Sequence, residues 1–79
     1  MMTREDLKPL ILQAIGSPGN KERIAKIAKF IWDHHQSDLE KSGDFFYTWQ
    51  YDMRWAGDSL VKEGKLDKKS HIGEWLRLR

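Results

Sequence analysis

Gln50, Tyr51, Arg54, Lys62, Lys68 and Lys69 are the side chains of this sequence whose types and spacing suit a binding chemistry. A glutamine can make two hydrogen bonds to an adenine edge, and an arginine can do the same with guanine. Gln50, Tyr51 and Arg54 follow Thr48, a good helix cap, and so fall early in a helix whose first turns can reach base edges. Lys62 stands near the end of the same helix pattern. Lys68 and Lys69, with His71, occupy a later turn that can touch backbone phosphate or the minor groove. Each residue also has a plainer role. Exposed helix positions carry such side chains anyway, and a lysine-rich turn also blunts a sheet edge. Asp52 and Asp58 stand among these residues, and a carboxylate near phosphate is repelled unless it is paired. Asp58 and Lys62, spaced i, i+4, can neutralise each other.

No catalytic constellation accompanies them. The chain has no cysteine, which excludes a disulfide framework, a thiolate metal site and a cysteine nucleophile. His34 and His35 are adjacent, so on a helix they diverge by about 100° and do not share a ligand face. His35 falls near the apolar face and reads as a core-edge or helix-end residue. Ser17, Ser37, Ser42, Ser59 and Ser70 sit in turn, cap or helix contexts without a nucleophile motif, and no glycine-rich phosphate loop is present. Neither an enzyme nor a bound cofactor or metal is expected.

The elements that must position these residues follow from the apolar spacing. Leu7, Leu10, Ile11, Ala14 and Ile15 share one side of a first helix over 7–15, with Pro9 in its first turn and Gly16 ending it. A second helix opens with Asn20 as its cap and runs to about His35, with Ile24, Ile27, Ala28 and Ile31 on its inner face. Gln36 to Phe46 reads as a connection holding at most one short helical turn on Asp38–Lys41. The third helix starts behind Thr48, stacks Trp49, Met53, Ala56 and Leu60 inward, and stops at Gly64. After that glycine the period shortens: Leu66 enters a strand, Lys68 to Gly73 turn, and Trp75 to Leu78 return. Trp49 and Trp75 read as core. Trp55 reads as packing against the hairpin in preference to stacking on a base. Both faces of the last strand carry an apolar residue, which calls for a bulge or for a tryptophan shielding the edge.

With 79 residues the chain is a single domain over 1–79, and four tryptophans supply aromatic area to a small core. No apolar run approaches the ~20 residues of a membrane span, and no signal-peptide stretch opens the sequence, so the expected home is cytoplasmic and away from membranes. The net charge is only +2, yet its distribution is uneven. The segment from Asp33 to Asp58 is acidic and the segment from Lys62 onward is basic, which can draw phosphates to one element even at low net charge. A solvated face explains such runs equally well.

The sequence also resembles a known family over nearly its whole length. Pro9-Leu10-Ile11-Leu12-Gln13-Ala14-Ile15, then Arg54-Trp55-Ala56, Leu60, Gly64-Lys65-Leu66 and Gly73-Glu74-Trp75 look like the N-terminal domain of Mrr-type restriction endonucleases. The resemblance implies a winged helix that recognises DNA for an attached nuclease, a domain this chain does not carry. Asp52, Gly57 and Arg77 depart from the pattern, the first two where the family tends to hold basic residues and the last where it prefers an aliphatic one.

The expected fold is therefore mainly α with a small β-hairpin (α+β), a winged helix-turn-helix of three helices plus a two-stranded C-terminal wing. Two functions follow. One is modest, salt-sensitive binding of double-stranded DNA through Gln50, Tyr51, Arg54, Lys62, Lys68 and Lys69, in a regulatory or mobile-element setting. The other is protein docking or homodimer formation through exposed Tyr47, Tyr51 and Trp55, since aromatic residues anchor interfaces.

Overall fold

Helix α1 (Leu7–Ile15) begins where Pro9 requires it, within the third residue of its start. A single 3₁₀ turn, Arg4–Asp6, leads into it. The Thr3 amide donates to the Asp6 carboxylate at 2.9 Å, so the capping chemistry at Thr3 closes this turn and leaves the proline early in α1. The computed structural model describes every residue from Met1 to Arg79. Its element order continues with β1 (Lys21–Arg23), α2 (Ile24–Glu40), α3 (Phe45–Lys62), β2 (Leu66–Asp67) and β3 (Glu74–Arg77).

The architecture is α+β: three helices against a three-stranded antiparallel sheet in the order β1-β3-β2. The expected two-stranded wing is present as β2–β3, and β1 adds a third strand that the sequence reading placed inside a helix. Asn20 does not cap α2. Its amide donates to the Ser17 carbonyl at 3.0 Å, and its carbonyl accepts from the Arg77 amide at 2.9 Å. Lys21, Glu22 and Arg23 then pair with Leu76, Trp75 and Glu74. The strand wins because β3 would otherwise present an unpaired edge to solvent. That pairing also dispenses with a bulge, since β3 is central and its register is regular on both sides. Helix α2 starts only at Ile24, whose amide donates to the Gly73 carbonyl at 3.2 Å, so the wing supplies the partner that a capping side chain would have supplied.

The connection expected from Gln36 to Phe46 is mostly helix. Helix α2 continues to Glu40 through a kink at His35 (φ −133°, ψ 22°), and the kink brings Leu39 into the core with no exposed surface. Ser42 is buried at the corner. Its hydroxyl donates to the Asp38 carbonyl at 2.5 Å and accepts from the Met2 amide at 2.9 Å, which ties the start of the chain to the α2–α3 turn. Gly43, at φ +63°, makes the reversal that a side chain would strain. Helix α3 starts at Phe45, three residues before Thr48; that threonine lies inside the helix and donates its hydroxyl to Asp52 at 3.0 Å.

One core unites the layers: Leu7, Leu10, Ile11 and Ile15 of α1, Ile27, Ile31 and Leu39 of α2, Trp49, Met53, Ala56 and Leu60 of α3, and Leu66 and Trp75 of the wing. Burying these side chains at roughly 1.5–3 kcal/mol each is the main force that holds so short a chain together. Trp32 extends the cluster by stacking on Trp49, ring centres 6.4 Å apart.

Candidate functional site

Because Trp49, Met53, Ala56, Gly57 and Leu60 turn inward, the opposite side of α3 is fixed as the exposed one. Along it lie Tyr47, Gln50, Tyr51, Arg54, Asp58 and Lys62, all exposed. The earlier helix start moves Gln50, Tyr51 and Arg54 to the sixth, seventh and tenth positions of α3. They occupy mid-helix and not its first turns.

Gln50 and Arg54 meet the wing across a cleft of about 670 Å³. Its walls are the start of α2 (Ile24, Ala25, Ala28), α3 (Gln50, Met53, Arg54) and the wing (Lys68, Gly73, Trp75). The floor is apolar, while an amide, a guanidinium and an ammonium stand around it. Three of the six residues singled out in the sequence therefore converge on one concavity. A second recess continues along the wing past Asp58, Val61 and Lys69.

Lys68 differs from its expected role as a free phosphate contact. Its ammonium donates to Asp58 at 2.6 Å and lies 4.9 Å from the Trp75 ring centre, and its side chain is only 20% exposed. Asp58 thus pairs across to the wing and not with Lys62 along the helix. Hydrogen bonding to Lys68 holds the Asp58 carboxyl below the usual carboxylate range; desolvation opposes it, and the charges of Lys68, Arg54 and Lys62 lower it further. Lys69 is exposed, and neither it nor Lys62 nor Arg54 has a carboxylate within ion-pairing distance.

The wing tip is built around Asp67. One of its oxygens accepts from the amides of Lys69 and Ser70 at 2.9 and 3.1 Å, and the other accepts from the Ser70 hydroxyl. These bonds, the Ser70 hydroxyl first, lower the Asp67 pKa. Asp67 is therefore a scaffold residue and not a loose negative charge beside Lys69.

Trp55 does not pack on the hairpin. It lies half-buried on the other flank of α3, where the Arg4 guanidinium sits 4.1 Å above its ring centre. Arg4, Tyr51, Asp52, Arg54, Trp55 and Asp58 line a shallow recess there. His34 is engaged locally, its ring stacked on Phe30 at 4.2 Å and its Nδ1 donating to the Phe30 carbonyl at 2.9 Å.

Three residues that sequence reasoning gave no part in the site bear on the wing that borders it. Gly57 lies beneath the Trp75 indole, where an added Cβ would come within 2.8 Å of the ring. Its spacing, four residues after Met53 and three before Leu60 on the inward side of α3, was the available signal. Arg77 donates to the Leu12 and Gly16 carbonyls at 3.3 and 2.5 Å, capping the end of α1 from the wing; no local pattern announces that bond. Ile72 stands fully exposed at the wing tip. No family model matches the chain, and neither does any curated protein or solved structure.

Proposed function

We propose that this chain is a small winged-helix protein that binds double-stranded DNA, with α3 in the major groove and the β2–β3 wing beside it. The observation that carries the reading is the shared cleft: Gln50 and Arg54 of α3 and Lys68 of the wing line one concavity, flanked by the unpaired cations Lys62 and Lys69. Helix α3 has 18 residues, about 27 Å of length at 1.5 Å per residue, and a major groove admits such a cylinder. The acids that weighed against groove entry are engaged within the protein, Asp52 by Thr48 and Asp58 by Lys68. The likeness to the N-terminal domain of Mrr-type endonucleases supports the same reading. The protein acts in the cytoplasm as a binder without catalysis of its own, and no helix is long and apolar enough to cross a membrane.

Phosphate contacts fall chiefly to Arg54, Lys62 and Lys69, because Lys68 is neutralised in place. About three phosphates neutralised gives a slope of log K against log salt near −3. Fluorescence anisotropy with a random 20-base-pair duplex, from low to physiological salt, measures it. Lys69→Ala is expected to reduce the slope by about 1 without changing sequence preference. Absence of binding at tens of micromolar protein and low salt would sink the proposal.

A second reading, protein docking or homodimerisation, draws on one specific observation. Tyr47 and Tyr51 are 82% and 77% exposed one helical turn apart on α3, with Asp44 close by in sequence. Light scattering separates the two readings. A dimer broken by Tyr51→Ala and untouched by Lys69→Glu would favour docking.

A further inference from the structure

Hairpin tips ordinarily carry polar residues, and this one carries Ile72. The residue is 102% exposed, the highest value among the large apolar residues. Single exposed apolar side chains are common on proteins, but two features set this one apart. First, the loop that carries it is braced from both sides. Asp67 holds the Lys69 and Ser70 amides, the Glu74 amide donates to the His71 carbonyl at 3.3 Å, and the Ile24 amide donates to the Gly73 carbonyl at 3.2 Å. Gly73, at φ +77°, completes the turn. Second, Lys69, exposed and without a carboxylate partner, lies three positions earlier on the same tip.

An apolar projection on a hydrogen-bonded loop beside a free cation is the make-up of a minor-groove wedge. Proteins of that kind insert Ile, Leu, Phe or Met between base steps, partly unstack them and kink the duplex, while basic residues hold the flanking phosphates. We infer that Ile72 is such a wedge: with α3 in the major groove, the wing tip enters the adjoining minor groove, Lys69 contacts phosphate, and Ile72 pries open a flexible base step. This rests on the DNA-binding reading above and adds to it that the protein bends its target. Pyrimidine–purine steps, the easiest to unstack, are the preferred point of entry. Specificity then arises in part from deformability at a step that no polar side chain reads.

The test uses the full chain and end-labelled 20-base-pair duplexes, one carrying central TA steps and one a rigid A-tract of the same length. Energy transfer between the end dyes reports bending, and anisotropy reports affinity. The wild type is expected to bend the TA duplex and to bind it several-fold more tightly than the A-tract. Ile72→Ala is expected to bind the TA duplex about tenfold more weakly, with the bend and the TA preference lost. Its salt slope stays unchanged, because no charge is removed. Ile72 touches no core residue, so circular dichroism and thermal unfolding of the variant should match the wild type. If wild type and Ile72→Ala bind and bend alike, the wedge is overturned while DNA binding stands. If the wild type binds neither duplex, the DNA reading falls and the wedge falls with it.

Discussion

Lys68 and Asp58 show how one ion pair redistributes the free charge of the helix-and-wing surface. Read along the chain, Lys68 and Lys69 are equivalent neighbours in a basic turn. In space, Lys68 bridges the wing to α3 through Asp58 and the Trp75 face, and only Lys69 faces solvent without a partner. In the proposed complex with DNA, Asp58 occupies the ammonium that a phosphate would otherwise take. Asp58→Asn should therefore strengthen binding to a random duplex several-fold at low salt and make the salt slope steeper by about 1, measured by anisotropy. Because the Asp58 carboxylate is 63% exposed and screened by solvent, the change in stability should stay within ~1 kcal/mol. The pH dependence follows from the lowered carboxyl pKa. The contribution of this pair is fully present above the ordinary carboxylate range and is lost as pH falls through the lowered value. Between pH 5 and pH 8, roughly, the contribution of the pair is constant, and urea midpoints of wild type and Asp58→Asn should differ there by a fixed amount that shrinks only in stronger acid.

At the scale of elements, the wing depends on α3 through Gly57 and Trp75. A glycine inside a helix costs about 1 kcal/mol relative to alanine, so its presence at mid-α3 needs a cause. The cause is contact: the indole edge lies where the alanine methyl would go, at 2.8 and 3.0 Å from two ring carbons. The ring cannot retreat easily, since Lys68 lies against it and Trp75 is 3% exposed. Gly57→Ala should therefore destabilise by a net ~1–2 kcal/mol despite its better helix propensity. Thermal denaturation should show a fall of about 5–10 °C for a domain of this size. An unchanged or raised melting temperature would mean that the wing slides on α3 at little cost.

Over the whole molecule, the central strand β3 joins parts of the chain that are far apart in sequence. It pairs with β1 and β2, presents Trp75 to the core, and carries Arg77 to the end of α1. The guanidinium there meets the Gly16 carbonyl just past the helix and the Leu12 carbonyl, which also accepts from the Gly16 amide, at the negative end of the helix dipole. Arg77→Ala should cost about 1–2 kcal/mol by urea denaturation. Arg77→Lys should recover only part of it, because an ammonium is a single point charge and not a planar fork. The loss should be global and not confined to the wing, since α1 supplies Leu7, Leu10, Ile11 and Ile15 to the shared core. Unfolding followed by tryptophan fluorescence and by circular dichroism should coincide if the layers form one cooperative unit.

What the sequence determined alone was the apolar period and the glycine stops, although the local cap signals at Asn20 and Thr48 misplaced the starts of α2 and α3. The apolar period fixed α1 from Leu7 to Ile15, the inward stack Trp49, Met53, Ala56 and Leu60, and the shift to a hairpin after Gly64. The exposed face of α3, with Gln50, Tyr51 and Arg54 on it, followed from that stack. The tertiary structure decided whatever depended on a distant partner. Residues 21–23 became a strand because β3 needed a neighbour, and Leu39 became core because a kink at His35 turned it inward. Lys68 became a bridge because Asp58 lay across the gap, and Arg77 became a cap because α1 ended beneath it. Helical period and glycine stops act over a few residues, so a sequence displays them. Pairings over tens of residues exist only once the chain has closed, and they decide which cations of the helix-and-wing surface remain free.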